Sequence, residues 1–191
     1  MRRRTFLGRI AVATGGLASR GSWALAADPL VRRMQGADWP SFLGPTGDSK
    51  STETGILTRW PESGPPLVWQ RRLGQGYSMP AISRGRLFQA EQEGPISRLT
   101  CLASETGELL WTFDYRSEYR DLYDYDAGPR CAPVVDGPLV YLLGVEGMLH
   151  ALRVNDGQVV WKVDTSAEFG VVQNFFGVGS TPIVDGDLLI V

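Results

Sequence analysis

Few side chains in this sequence are equipped for chemistry. His150 is the single histidine of 191 residues, and no nucleophile elbow stands beside it. A Ser-His-Asp triad would have only this one base. Cys101 and Cys131 are thirty positions apart, and in an oxidising compartment two cysteines can bridge; their surroundings read instead as small strand residues. The most unusual stretch is Asp114 to Arg130, which interleaves Tyr115, Tyr119, Tyr123 and Tyr125 with carboxylates and arginines. Tyrosines beside carboxylates suit a sugar or a quinone ring; the alternative is a solvated loop whose rings pack on the scaffold. Its aspartates do not follow the calcium-loop spacing, which needs Gly at the sixth position and Glu at the twelfth. No metal ligand and no catalytic residue is assigned. The candidate ligand-face residues are Tyr77, Tyr125 and Arg130. A guanidinium at the last position suits a carboxylate or phosphate held by two hydrogen bonds, or equally a neighbouring aspartate.

The elements that must position these residues follow from an internal repeat. Met79-Pro80-Ala81-Ile82-Ser83-Arg84-Gly85 returns as Ala132-Pro133-Val134-Val135-Asp136-Gly137 and again as Thr181-Pro182-Ile183-Val184-Asp185-Gly186, with proline-to-proline steps of 53 and 49 residues. Cys101-Leu102-Ala103-Ser104-Glu105-Thr106-Gly107, ending at Trp111, returns fifty residues later as Ala151-Leu152-Arg153-Val154-Asn155-Asp156-Gly157, ending at Trp161. In the second unit, four short strands are expected near Pro133–Val135, Leu139–Gly144, Met148–Leu152 and Val159–Val163. They are separated by the turn signals Asp136-Gly137, Glu146-Gly147 and Asn155-Asp156-Gly157. Such dipeptides between β-branched runs mark hairpins, because these residues take positive φ cheaply. Four antiparallel strands at this period describe a β-propeller blade. No helical period is read across the units. In this register His150 matches Thr100, Cys101 matches Ala151, Cys131 matches Ser180, and Tyr77, Arg130 and Gly179 fall just before successive inner strands. That places the last three near the mouth of a central channel.

The spacing from Cys101-Leu102 or Ala151-Leu152 through Gly to Trp resembles the tryptophan-docking repeat of pyrroloquinoline-quinone (PQQ)-type propellers, and the Pro-Val-Val-Asp-Gly element resembles the first-strand turn of that repeat. The resemblance covers Leu67 to Val191. It implies that Trp111 and Trp161 cover neighbouring blades, each burying on the order of 200 Å². Trp69 in Leu67–Leu73 is expected to act in the same way from an isolated outer strand. The fold expectation is therefore all-β: an incomplete propeller of four-stranded antiparallel blades, with one outer strand, two full blades and the opening of a third. Closed rings usually need four or more blades, so the sequence is expected to be the N-terminal part of a longer propeller. The family includes quinoprotein alcohol dehydrogenases, an outer-membrane-assembly subunit and exported proteins of unknown role. The resemblance makes PQQ with Ca²⁺ a family-level cofactor. The adjacent Cys-Cys pair often found in the dehydrogenases has no counterpart here, and no carboxylate–asparagine calcium set is identifiable.

Residues 1–26 read as an export signal: Arg2, Arg3 and Arg4 before Phe6-Leu7, a weak apolar stretch, and a small-x-small site ending at Ala26. The arginines resemble a twin-arginine signal. Residues 27–66 read as an extended tail rich in turn formers, and 67–191 as the partial propeller. Removing the five arginines of the signal from the 19 basic residues leaves 14 against 21 acidic, a net charge near −7. That argues against nucleic-acid binding, which needs a basic face. No apolar run is long enough for a membrane-spanning helix. The expectation is a periplasmic or secreted protein, non-catalytic, serving as a binding or assembly scaffold whose propeller face takes a protein partner or a small molecule. The alternatives are part of a PQQ-dependent alcohol or aldose dehydrogenase, and a carbohydrate-recognising propeller.

Overall fold

The computed structural model describes residues 36–173 and 175–191; the export signal expected over residues 1–26 lies outside them. Among the described residues ten strands form three antiparallel sheets. The first blade comprises β1 (Ala81–Ser83), β2 (Arg86–Glu93), β3 (Ile96–Ala103) and β4 (Leu109–Arg116), hydrogen-bonded in chain order. The second repeats it with β5 (Val134–Asp136), β6 (Leu139–Leu143), β7 (Met148–Arg153) and β8 (Val159–Asp164). A short helix, α1 (Thr165–Phe169), then leads toward β9 (Ile183–Asp185) and β10 (Leu188–Ile190), a two-stranded start of a third blade. The three sheets do not close into a ring, in agreement with the incomplete propeller read from the repeat.

The repeat is preserved down to its irregularities. Both outer strands carry a register shift at the same point, between Cys101 and Leu102 in the first blade and between Ala151 and Leu152 in the second. Each shift places one extra residue, Leu110 or Val160, ahead of the tryptophan, and such a bulge re-aims the strand. As a result Leu110, Trp111, Phe113 and Tyr115 of β4 pack on a core cluster that contains Phe88, Leu99 and Cys101 of the first blade and Val140, Leu142 and Leu152 of the second. The outer strand of one blade thus seals the next one. A smaller cluster, Cys131, Leu143 and Leu149 with Trp161, Val178 and Leu189, joins the second blade to the third. The two cysteines are buried in these separate clusters, and burial pushes the Cys131 thiol up to about 12, far from a reactive thiolate.

Trp69 and Trp111 dock as the repeat predicts, and the structure supplies the reason for the glycines. Trp111 Nε1 donates to Val154 O at 2.9 Å, and a Cβ on Gly157 would lie 2.6 Å from the Trp111 ring. One blade earlier, Trp69 Nε1 donates to Ser104 O at 3.0 Å and its ring would lie 2.8 Å from a Cβ on Gly107. The glycine therefore does more than turn its own hairpin, where φ is +70° and +72° respectively: it is the seat for the indole of the preceding blade. Trp69 fills the expected role without the expected strand. Residues 67–73 pair with no strand, and beyond them the main chain meets the sheet at Gln75, which exchanges hydrogen bonds of 2.9 Å with Gln92.

Two features lie outside the repeat reading. The segment around Trp39 is a fifth inner strand in miniature: Trp39 exchanges main-chain hydrogen bonds of 2.8 and 2.9 Å with Ile82, and Pro40 O accepts from Val135 N at 2.8 Å. Asp38 fastens its start, its carboxylate accepting from Ser83 Oγ and from the amide of Arg84. The inner edges of the first two blades are thereby stitched together. The second feature is α1, where a uniformly β reading expects no helix. Asp164 caps it by accepting from Ala167 N at 2.9 Å, and Gly170 ends it in the left-handed conformation. Both are ordinary helix boundary signals. Among the described residues no helix is long and apolar enough to cross a membrane.

Candidate functional site

The tyrosine-rich connection between β4 and β5 is built by its aspartates. Asp121 Oδ1 accepts from Tyr123 N at 2.7 Å, and Asp126 Oδ1 accepts from Gly128 N at 2.7 Å. These contacts, two residues apart, are the local turns that short acidic side chains make with their own backbone. Asp126 Oδ2 also accepts from Gly76 N at 3.1 Å, and Pro129 O from Tyr77 N at 2.8 Å. The loop is thus tied to the segment that leads into the first blade. Asp121 and Asp126 shape the loop instead of converging on a cation, and among the described residues no group of three His, Cys, Asp or Glu is arranged to hold one.

Arg130 is the hub. Its side chain is 9% exposed, with Asp121 at 3.2 Å and Asp126 at 3.5 Å. It donates to Asp126 O at 2.6 Å and to Phe176 O at 3.1 Å, and its guanidinium lies 4.8 Å from the centre of the Tyr77 ring. The anion that the sequence allows at this arginine is therefore already present, supplied by its own loop. Tyr77, Tyr125, Arg130 and the two residues sequence reasoning missed, Asp121 and Phe176, line one cup of about 330 Å³. The structure thus brings the three candidate residues together. Phe176 comes from the next connection, where the Phe175-Phe176 doublet ahead of Gly177 was the available signal. Tyr123 extends the surface, lying 5.9 Å from Tyr125 and 6.2 Å from Phe175 between ring centres. Tyr119 Oη donates to Phe175 O at 3.1 Å and fixes the two connections to each other. Tyr77, Tyr125 and Phe176 are nonetheless 65%, 71% and 56% exposed.

The contacts run from blade to blade in the register of the repeat. Ser78 Oγ donates to Cys131 O at 2.8 Å, and the Cys131 thiol faces Ser180 O at 3.4 Å. Likewise Tyr77 stacks on Arg130, and a Cβ on Gly179 would lie 3.7 Å from Arg130 Cβ. A second cavity, of about 700 Å³, lies between the Pro40–Gly47 loop and the inner strands β5 and β9, with Arg130 on its wall as well. Among the described residues the guanidinium of this face is paired with Asp121 and Asp126, and both aspartates also accept from backbone amides, so these three side chains hold one another.

His150 stands apart from this face. It is buried, with Phe113 at 5.0 Å and Tyr115 at 4.7 Å between ring centres. Burial, helped by the Lys162 charge, pushes its pKa down from 6.5 to about 4. The neutral ring is the native form, so as pH falls from 6.5 toward 4 the unfolded chain takes up the proton first and stability drops. A loss of about 2–3 kcal/mol is expected across that window. Urea unfolding of the chain and of His150→Thr at pH 7 and 4.5 checks it: the variant, which carries the residue found at the matching position of the first blade, should lose markedly less.

Relatives place this architecture. The chain is 31% identical over 135 residues to the outer membrane protein assembly factor BamB of Yersinia pestis, an alignment spanning 65% of this chain and 32% of that protein. It is 26% identical over 133 residues to the quinohemoprotein alcohol dehydrogenase ADH-IIG of Pseudomonas putida, spanning 65% of this chain and 17% of the other. Among solved structures, the quinohemoprotein alcohol dehydrogenase of Comamonas testosteroni superposes with a TM-score of 0.56 at 18% identity, covering 80% of this chain and 23% of that one. The chain thus spans a third or less of the length of these relatives. The sequence profile described as outer membrane protein assembly factor BamB matches residues 51–191, well over half of the chain, and the protein belongs to this family of PQQ-type propeller repeats.

Proposed function

We propose that this propeller segment is a non-catalytic binding and assembly platform working outside the cytoplasm, with the aromatic surface between the blade connections as its binding face. The observation that carries the reading is the exposure of Tyr77, Tyr123, Tyr125, Phe175 and Phe176 around an arginine already neutralised by Asp121 and Asp126. Contiguous exposed rings on a soluble domain are the composition of a recognition surface. A charge locked into its own loop holds that surface in shape and leaves little for chemistry. The relatedness to assembly factors supports both the compartment and the role.

A photo-crosslinking residue at Tyr125, compared with one at Glu105 on the outer β3–β4 turn, tests this in a bacterial host that exports the chain. Discrete adducts from position 125 and none from 105 are the expected result. Reduction of an artificial electron acceptor that requires added PQQ, Ca²⁺ and an alcohol would overturn the reading in favour of a dehydrogenase.

A further inference from the structure

The inner edge of each repeat unit carries one main-chain amide at the same register position, and in two of the three described units it is occupied. Ile82, Val135 and Val184 each stand two residues after the repeated proline. Trp39 exchanges hydrogen bonds of 2.8 and 2.9 Å with Ile82, and the next carbonyl, Pro40 O, accepts from Val135 N at 2.8 Å. The inner hairpins share one register: Ile82 lies opposite Leu87, Val135 opposite Val140 and Val184 opposite Leu189. The alternation of an antiparallel ladder therefore turns the Val184 N–H and C=O away from β10, to the same free edge. Among the described residues neither group has a hydrogen-bond partner there. The edge opens onto the cavity of about 700 Å³ whose far wall includes Phe42, Leu43 and Pro45. We infer that this edge is a docking site for an extended segment of another polypeptide, which adds to β9 as Trp39-Pro40 adds to β1 and β5.

The chain's own strap shows what the edge accepts. A free strand edge is a template for pairing, and in strand addition the main-chain bonds supply the affinity. At Ile82 the occupant is a residue that both donates and accepts, and at Val184 both groups are again on offer. Charge then separates a foreign segment from a second copy of this chain. Asp38 begins the strap by accepting from Ser83 Oγ at 3.1 Å and from the amide of Arg84. In the third unit the residue matching Ser83 is Asp185, and Asp187 follows in the turn. A carboxylate delivered to that place is repelled, whereas an ammonium or guanidinium is attracted. The partner segment thus carries a basic residue immediately before the residue that pairs with Val184, a position where a second copy of the strap would bring Asp38.

Fluorescence anisotropy of the full chain with two labelled peptides tests the assignment. One is Ala-Asp-Trp-Pro-Ser-Phe, which copies residues 37–42, and the other replaces its aspartate with lysine. The lysine peptide should bind, and more tightly than the aspartate peptide; Asp185→Lys should reverse that order. Methylating the tryptophan nitrogen of the peptide removes the donor to Val184 O without touching the protein, and should weaken binding about fivefold, the size of one lost hydrogen bond. Val184→Pro removes the N–H at an edge position that tolerates proline and should weaken it by a similar factor, while Val184→Ala, which keeps the N–H, should lose much less. The docking site is overturned if neither peptide binds, if the aspartate peptide binds as tightly as the lysine peptide, or if binding ignores both the N-methyl group and Val184→Pro. Tighter binding of the aspartate peptide would assign the edge to a second copy of the chain instead. In each of these cases discrete crosslinks from position 125 would leave the aromatic binding face standing, since that face does not include β9.

Discussion

Replacing Trp111 with alanine is expected to destabilise the chain by about 3–5 kcal/mol, the range for deleting a large aromatic from a packed interface. The indole lies at 5.8 Å from the Phe88 ring, donates to Val154 O at 2.9 Å and rests on Gly157. It therefore binds the hairpin turn of the second blade to the core of the first. The partner change is informative. A Cβ on Gly157 meets the indole at 2.6 Å while φ is +70°, so Gly157→Ala combines backbone strain with overpacking and is expected to cost about 2–4 kcal/mol. In the Trp111→Ala background the clash disappears and only the strain remains, about 1–2 kcal/mol. Urea unfolding of the four proteins should give less-than-additive losses, the mark of residues in direct contact. Additive losses would mean that the tryptophan acts within its own blade. Because blades contact mainly their neighbours, the single change should also broaden the transition as the two blades lose their coupling.

The fold was legible because each unit repeats the same strand and turn chemistry. β5–β8 start and stop within one or two residues of the boundaries that the Asp-Gly and Asn-Asp-Gly turns imply. The docking role of Trp69 was legible from its likeness to Trp111, but its strand was not present, since its contact is made by a side chain and needs no ladder. The stitching of Trp39 to Ile82 left no trace in the sequence. It is a main-chain pairing across more than forty residues, and main-chain hydrogen bonds carry no side-chain signature. The bulges at Leu110 and Val160 were hidden for a similar reason: an extra residue in a strand of apolar side chains does not break the local pattern. α1 was signalled by Asp164 and Gly170 yet is too short to produce a period.

The site was half legible. Register alone placed Tyr77 and Arg130 side by side, and they do stack. What register cannot show is whether a buried cation faces a ligand or its own loop. The answer came from Asp121, which turns the chain with one oxygen and meets Arg130 with the other.

That arrangement separates two kinds of variant on the same face. Arg130→Ala is expected to lower stability by about 3–5 kcal/mol, because it strands a buried carboxylate. The Asp121 side chain is 1% exposed, and the carbonyls of Asp126 and Phe176 lose their donor as well. Removing the abandoned charge in Arg130→Ala/Asp121→Ala should restore a substantial part of the loss, since a pair replaced as a unit leaves no unpaired ion. Arg130→Lys should fall between, as a single ammonium cannot serve the carboxylate, the two carbonyls and the Tyr77 ring together. Thermal unfolding of the three variants checks the order. Ligand binding should fall in parallel with stability across this series, whereas Tyr125→Ala should reduce binding with the melting temperature nearly unchanged. If Arg130→Ala also leaves the melting temperature unchanged while abolishing binding, the guanidinium is a ligand contact and not the pin that holds the two connections together.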